Sequence, residues 1–253
     1  MTTETDSRIR LRVEDGDKRV RVYLGGEVIA DSSDVKLVWE KRFYPVYYFP
    51  LQDVRTELLS PSGETKRSPS RGEAELYNVK GDDKVAENAA YAYPDSPIEE
   101  IRDHVAFHWS AMDHWFEEDD EVFVHAMDPY TRVDIRHSSR HVEVVIDGVT
   151  VADSHHPTLL FETGLPTRYY LPKTDVRMDL LVPSETHTDC PYKGTADYWS
   201  VQSPSGTLED FVWGYRHPTA ESAKIAGLVS FYNEKVDVYV DGELQERPKS
   251  PFS

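Results

Sequence analysis

Cysteine is nearly missing. Cys190 is the only one in 253 residues, which excludes an intrachain disulfide and any multi-cysteine metal cluster. Positive charge is scarce as well. Lys and Arg number 28 against 46 Asp and Glu, for a formal net charge of −18. That balance argues against duplex nucleic acid as a partner, because affinity for a phosphate backbone comes from cationic side chains that displace counterions. It equally disfavours an anionic membrane surface, and no apolar run approaches the roughly 20 residues that span a bilayer. Residues 1–7 offer no basic segment followed by an apolar one, so no secretory signal is visible and a cytoplasmic location is expected. Gly-x-Gly-x-x-Gly, Gly-x-x-x-x-Gly-Lys and Gly-x-Ser-x-Gly are all absent, which leaves dinucleotide binding, P-loop chemistry and nucleophile-elbow esterase chemistry without support. Against these absences stand 39% hydrophobic residues with 15 Tyr, 9 Phe and 5 Trp. That is enough apolar material for a folded core despite the charge.

The chain repeats itself. Residues 19–93 align without a gap on residues 141–215, with 24 identities in 75 positions, against about one in fifteen expected from average composition. Ala30-Asp-Ser32 falls on Ala152-Asp-Ser154, Tyr47-Tyr-Phe-Pro50 on Tyr169-Tyr-Leu-Pro172, and Asp53-Val-Arg55 on Asp175-Val-Arg177. After Tyr93 a two-residue insertion changes the offset, and Val105-Ala-Phe107 meets Val229-Ser-Phe231. The period is too long for a solenoid of about 20–50 residues per unit. Each copy can hold its own core. The expected organisation is an N-terminal domain over residues 18–116, an extended connector over 117–140 packed as a strap, and a C-terminal domain over 141–246.

Within a copy the apolar residues alternate. Val142, Val144 and Ile146 interleave with Glu143, Val145 and Asp147, and Asp147-Gly148 is a strong hairpin signal. Further short strands are expected near residues 149–152, 159–162, 167–171, 178–182, 196–201, 210–215, 229–232 and 236–240. One short helix per copy is expected after Pro97 and after Pro218, since proline suits a first helical turn. The predicted fold class is all-β: two tandem, homologous, compact antiparallel domains, barrel-like or tent-like, each with one short helix.

Positions where the copies differ chemically are candidates for function. The largest divergence lies in one loop, where Cys190-Pro-Tyr-Lys-Gly194 faces Ser68-Pro-Ser-Arg-Gly72. The proline and glycine predict a tight turn that brings Cys190 and Lys193 together. A nearby ammonium favours thiolate over thiol and would activate the cysteine; alternatively, Cys190 is a small buried hydrophobe. Asp175 is the candidate base or salt-bridge partner of Lys193, although Asp53 at the matching place in copy one points to a turn brace. Arg168, Tyr169, Tyr170, Trp199, Trp213 and Tyr215 form the candidate ligand-binding set. Trp213 and Tyr215, two apart, share one face of a strand, and such aromatics build either a pocket wall or a core. His187-x-x-Cys190 supplies only two ligands, and His155, His156 and His217 are scattered in sequence, so no specific metal site and no cofactor are expected.

The segments Cys190-Pro-Tyr-Lys-Gly194, Tyr170-x-Pro172-x-x-Asp175-Val, Trp213-x-Tyr215, and Val229-x-Phe231-Tyr232 with Val238-x-Val240-Asp-Gly242 resemble the bacterial family catalogued as domain of unknown function 427, in its two-copy form. The resemblance implies a compact antiparallel β domain. A nucleotidyltransferase-like label attaches to that family, but the sequence has no Gly-Ser followed by an Asp-x-Asp pair to hold the metal ions of phosphoryl transfer. Three readings stay open. The first is a pocket in the C-terminal copy for a small polar or anionic ligand. The second is an enzyme that uses Cys190 and Lys193 for nucleophilic or redox chemistry, and the third a structural protein with no site. The expected partner is a small molecule, with neither nucleic acid nor membrane involved; the oligomeric state is open.

Overall fold

The computed structural model describes residues 11–253. The chain divides into two compact units, with the boundary between Asp128 and Pro129.

Each unit is built from one seven-stranded and one four-stranded sheet. In the first, the large sheet runs Val13–Asp15, Lys36–Val38, Val46–Pro50, His104–Phe107, Val85–Ala92, Gly72–Lys80, Leu59–Ser68 in spatial order. Its small sheet runs Asp120–Glu121, His114–Glu117, Val20–Leu24, Glu27–Ser32. The second unit follows the same plan. Its large sheet runs Val133–His137, Thr158–Glu162, Arg168–Leu171, Val229–Phe231, Gly206–Tyr215, Gly194–Ser203, Leu181–Cys190. Val149–Ser154, Val142–Ile146, Asp237–Val240 and Glu243–Leu244 make its small sheet. Every strand pair is antiparallel. The sheets are open, so the barrel-like alternative gives way to two layers.

Period-two alternation decides what each sheet buries. Val20, Val22 and Leu24 from the small sheet meet Phe49, Val105 and Phe107 from the large one, and this is the core between the layers. Tyr48, lying between Tyr47 and Phe49, points the other way and joins Tyr91, Tyr93, Ala106 and Ile101 in a second cluster on the opposite face. The second unit repeats both clusters, with Tyr170, Trp213, Tyr215 and Ile225 in the outer one. These outer clusters carry the chemistry described below.

The helices expected after Pro97 and Pro218 are present as 3-10 turns, Glu99–Ile101 and Ala220–Ile225, and each covers an outer cluster through a buried isoleucine. Further 3-10 turns occur, among them Met178–Leu180, where a strand was expected. The strand begins only at Leu181 and continues to Cys190, so the predicted loop is mostly a long hairpin arm. The segment after the acidic run divides: Val122 and Ala126 are buried within the first unit, and Val133–His137 is the edge strand of the second. No helix among the described residues is long and apolar enough to cross a membrane.

Candidate functional site

The tight turn predicted at residues 190–194 is real. Cys190 pairs with Gly194 at the hairpin end, and the Lys193 amide donates to the Cys190 carbonyl at 3.2 Å. Gly194 adopts φ +92°, and a Cβ there would stand 3.2 Å from the His217 carbonyl oxygen. The turn that follows Pro218 holds this loop in place. Thr219 Oγ1 and Ser222 Oγ both donate to the Tyr192 carbonyl, at 2.7 and 2.9 Å.

Lys193 is buried, and its ammonium bonds Glu162 Oε2 at 2.6 Å. Asp175 is not its partner. That carboxylate accepts from Ser154 at 2.6 Å, and Asp53 in the first unit accepts from Ser32 at the same distance, so both brace a turn. The candidate residues therefore separate into two groups. Tyr170, Trp213 and Tyr215 gather in the outer cluster, with Trp213 Nε1 donating to the Tyr170 hydroxyl at 3.1 Å. Cys190 is half-exposed, and burial chiefly pushes the hydroxyls of Tyr170 and Tyr215 far above the ordinary value. Tyr169 and Trp199 face the opposite side and pack on the core between the layers; Lys173 lies 4.7 Å over the Trp199 ring. Arg168 is buried in the first group but spent on an ion pair, with two bonds of 2.6 Å to Glu234 and a further one to Asn233. Its guanidinium also stacks over Trp213, Tyr232 and Phe252. With exposures of 8% for Lys193, 7% for Trp213 and 5% for Tyr215, these three side chains are packed against their neighbours.

The first unit holds the same frame with different contents. Glu40 stands at the position of Glu162, Arg71 at that of Lys193, Tyr48 at that of Tyr170, Tyr91 at that of Trp213. Arg71 Nη1 lies 2.7 Å from Glu40 Oε2, and the other carboxylate oxygen accepts from Tyr48 at 2.6 Å and Tyr91 at 2.8 Å. Burial first, and then the neighbouring charges, push both phenols up, so they remain donors. For Arg71, burial acts to lower the value; Glu40 together with Tyr48, Tyr93 and Tyr91 outweighs it, and the guanidinium ends above its ordinary value.

Here the frame borders a cavity of about 260 Å³. Its walls are aromatic: Tyr91, Tyr93, Trp109 and Tyr44 line it, His108 packs 4.9 Å from Tyr91, and Trp109 stacks on Trp115 at 4.5 Å. Val124, His125 and Ala126 close one side, and the His125 ring stacks on Tyr44 at 3.9 Å. Burial pushes the His125 imidazole down, so it is neutral at pH 7. The formal charges of the lining are Lys41, Lys66 and Arg71 against Glu40 alone. Lys41 and Lys66 have no ion-pair partner among the described residues, and Arg71 Nε is buried without a hydrogen-bond acceptor. In the second unit Arg168 replaces Val46 and Asn233 replaces Trp109. The buried Arg168–Glu234–Asn233 network thus occupies ground that the first unit gives to the cavity.

Glu40 and Glu162 escaped the sequence reading, although they are identical across the repeat and each sits next to an aromatic residue. A carboxylate and a same-sign cation preserved at matched positions was the available signal. A model of the family described as "Domain of unknown function (DUF427)" matches residues 12–118 and again 134–242. No curated protein matches the chain.

Proposed function

Because the chain belongs to the DUF427 family and carries it twice, we propose a division of labour in which the first copy binds a small anionic ligand with a planar apolar part and the second is its filled, structural counterpart. The observation that carries this reading is the inverted charge of the cavity. Three cations face one carboxylate there, in a chain where acidic residues outnumber basic ones 46 to 28. Field lines from such a patch favour anions locally even when the whole protein repels them.

The remaining features fit the same ligand. Aromatic walls stack on a flat apolar group, and a volume of about 260 Å³ suits one or two rings. The buried Nε–H of Arg71, which lacks an acceptor, costs about 1–3 kcal/mol, and an acceptor atom in the adjoining cavity recovers it. Glu40, held by Arg71 and two phenols, fixes the guanidinium in place rather than meeting the ligand. The reading is one of binding, since Lys193, the proposed partner of Cys190 in covalent chemistry, is committed to Glu162.

Its test uses 2-naphthoate and the neutral 2-naphthamide as probes, titrated into the full chain and followed by tryptophan fluorescence, because Trp109 lines the cavity. Saturable quenching by the carboxylate is expected, with the amide binding more weakly. Lys66→Ala and Lys41→Ala should each weaken naphthoate about 2–5-fold, the worth of one exposed charge. Equal affinity for acid and amide, or no loss in either variant, contradicts the proposal.

A further inference from the structure

The second unit carries another constellation, away from the outer cluster and independent of the ligand reading above. We propose that His141, Asp153 and His155 form a site for a divalent transition metal on the solvent face of the small sheet.

The strands create what the sequence spacing hides. His141 directly precedes Val142–Ile146, and the register pairs Val142 with Ser154 and Glu143 with Asp153. Val142, Val144, Ala152 and Ser154 are buried, so alternation turns His141, Asp153 and His155 outward together. One donor atom of each lies within 4.8 Å of the others. His141 Nε2 stands 2.7 Å from Asp153 Oδ1, and the two imidazole rings stack with centroids 4.2 Å apart. Glu143, opposite Asp153 in the register, adds a second carboxylate to this face.

The repeat supplies the comparison. At the matching positions the first unit has Arg19, Arg21, Asp31 and Ser33. There Arg19 binds Asp31 at 2.7 Å and Arg21 binds Asp119 at 2.9 Å, so the carboxylate is neutralised by the chain itself. In the second unit both arginines are gone, replaced by His141 and Glu143, and Ser33 has become His155. Arg140, next in sequence, is bound to Asp241 at 2.7 Å. A fixed guanidinium has thus been exchanged for two imidazoles around one carboxylate, an arrangement that a dication completes.

Imidazole nitrogen with one carboxylate oxygen suits zinc, nickel, cobalt or copper and not the oxygen-loving calcium or magnesium. In a tetrahedral zinc shell neighbouring donors are about 3.3 Å apart. The 2.7 Å contact therefore opens and the 4.8 Å spread closes around the ion. All three side chains are exposed or half-exposed and free to rotate that far, with water as the fourth ligand.

The experiment is calorimetric titration of zinc chloride into the full chain bearing Cys190→Ser, which removes the single thiol. One equivalent should bind in the micromolar range. His155→Ala and Asp153→Asn should each weaken binding at least tenfold, with unchanged far-UV circular dichroism, while His187→Ala should leave it intact. Magnesium and calcium chloride should give no binding heat. Absence of zinc binding, binding that survives His141→Ala with His155→Ala, or loss on His187→Ala alone would each overturn the site.

Discussion

The duplicated ion pair allows one substitution to be made twice in the same molecule. Replacing Lys193 by Met removes the ammonium from Glu162 and leaves a carboxylate that is 9% exposed, with no other hydrogen-bond donor to it among the described residues. Breaking a buried pair from one side costs about 3–5 kcal/mol. Arg71→Met is the matching change in the first unit, where the pair is similarly buried at 13% and 14%. There Glu40 keeps the hydroxyls of Tyr48 and Tyr91. Hydrogen bonds to a charged group contribute about 1.5–3 kcal/mol each, so the loss should shrink to about 1–3 kcal/mol. The expected gap of about 2 kcal/mol is roughly a 30-fold difference in the opening equilibrium. Hydrogen exchange read by mass spectrometry on peptides from each unit reports the two openings separately in the full chain. The double change Glu162→Gln with Lys193→Met should restore at least half of the lost protection, because it removes the stranded charge. If Lys193→Met costs no more than Arg71→Met, or if the double variant is no better than the single, Glu162 is not a charge that depends on Lys193 and the reasoning fails.

Acid should destabilise the second unit through Glu234. Burial pushes this carboxyl up, but the bonds from Arg168, Ser250 and its own backbone, with the charge of Arg168, together outweigh it and hold the folded-state value below the ordinary 4.5. Its stabilising contribution is therefore complete above about pH 4.5 and is lost as pH falls through the lower folded value. Glu234→Gln should flatten the pH dependence of thermal unfolding between pH 5 and 3, and an unchanged slope would count against this assignment. Gly194→Ala should destabilise the same unit by about 1–2 kcal/mol through the positive φ alone, with the close approach to the His217 carbonyl adding to it; a neutral effect in urea unfolding would show that the loop relaxes freely. Ser154→Ala and Ser32→Ala should each cost about 1 kcal/mol and cost alike, because Asp175 and Asp53 are braced identically.

Much of the architecture could be read before any coordinates. The ungapped repeat fixed two like units, alternation placed Val142, Val144 and Ile146 inward, and the two-residue spacing put Trp213 and Tyr215 on one face. The Pro–Gly pattern located the turn at Cys190, and its identity with copy one correctly hinted that Asp175 braces a turn. What stayed hidden depends on non-local strand order. Glu162 and Lys193 stand 31 residues apart and meet through side chains that reach across the sheet, a contact that no local spacing announces. His141 and His155 likewise meet by register. The cavity was hidden for a different reason, since it is a matter of volume. Divergence at Cys190 drew attention to the second copy, whereas the cavity of the first is lined by Val46 and Trp109, where the second has Arg168 and Asn233.

The most direct test of the first-copy reading is to map where an anionic aromatic probe sits. Backbone amide shifts of the full chain, followed by NMR during titration with 2-naphthoate, should move around Glu40, Lys66, Arg71 and His108 and stay still around Glu162 and Lys193. Shifts confined to the second unit, or spread evenly over the surface of both, would contradict the account.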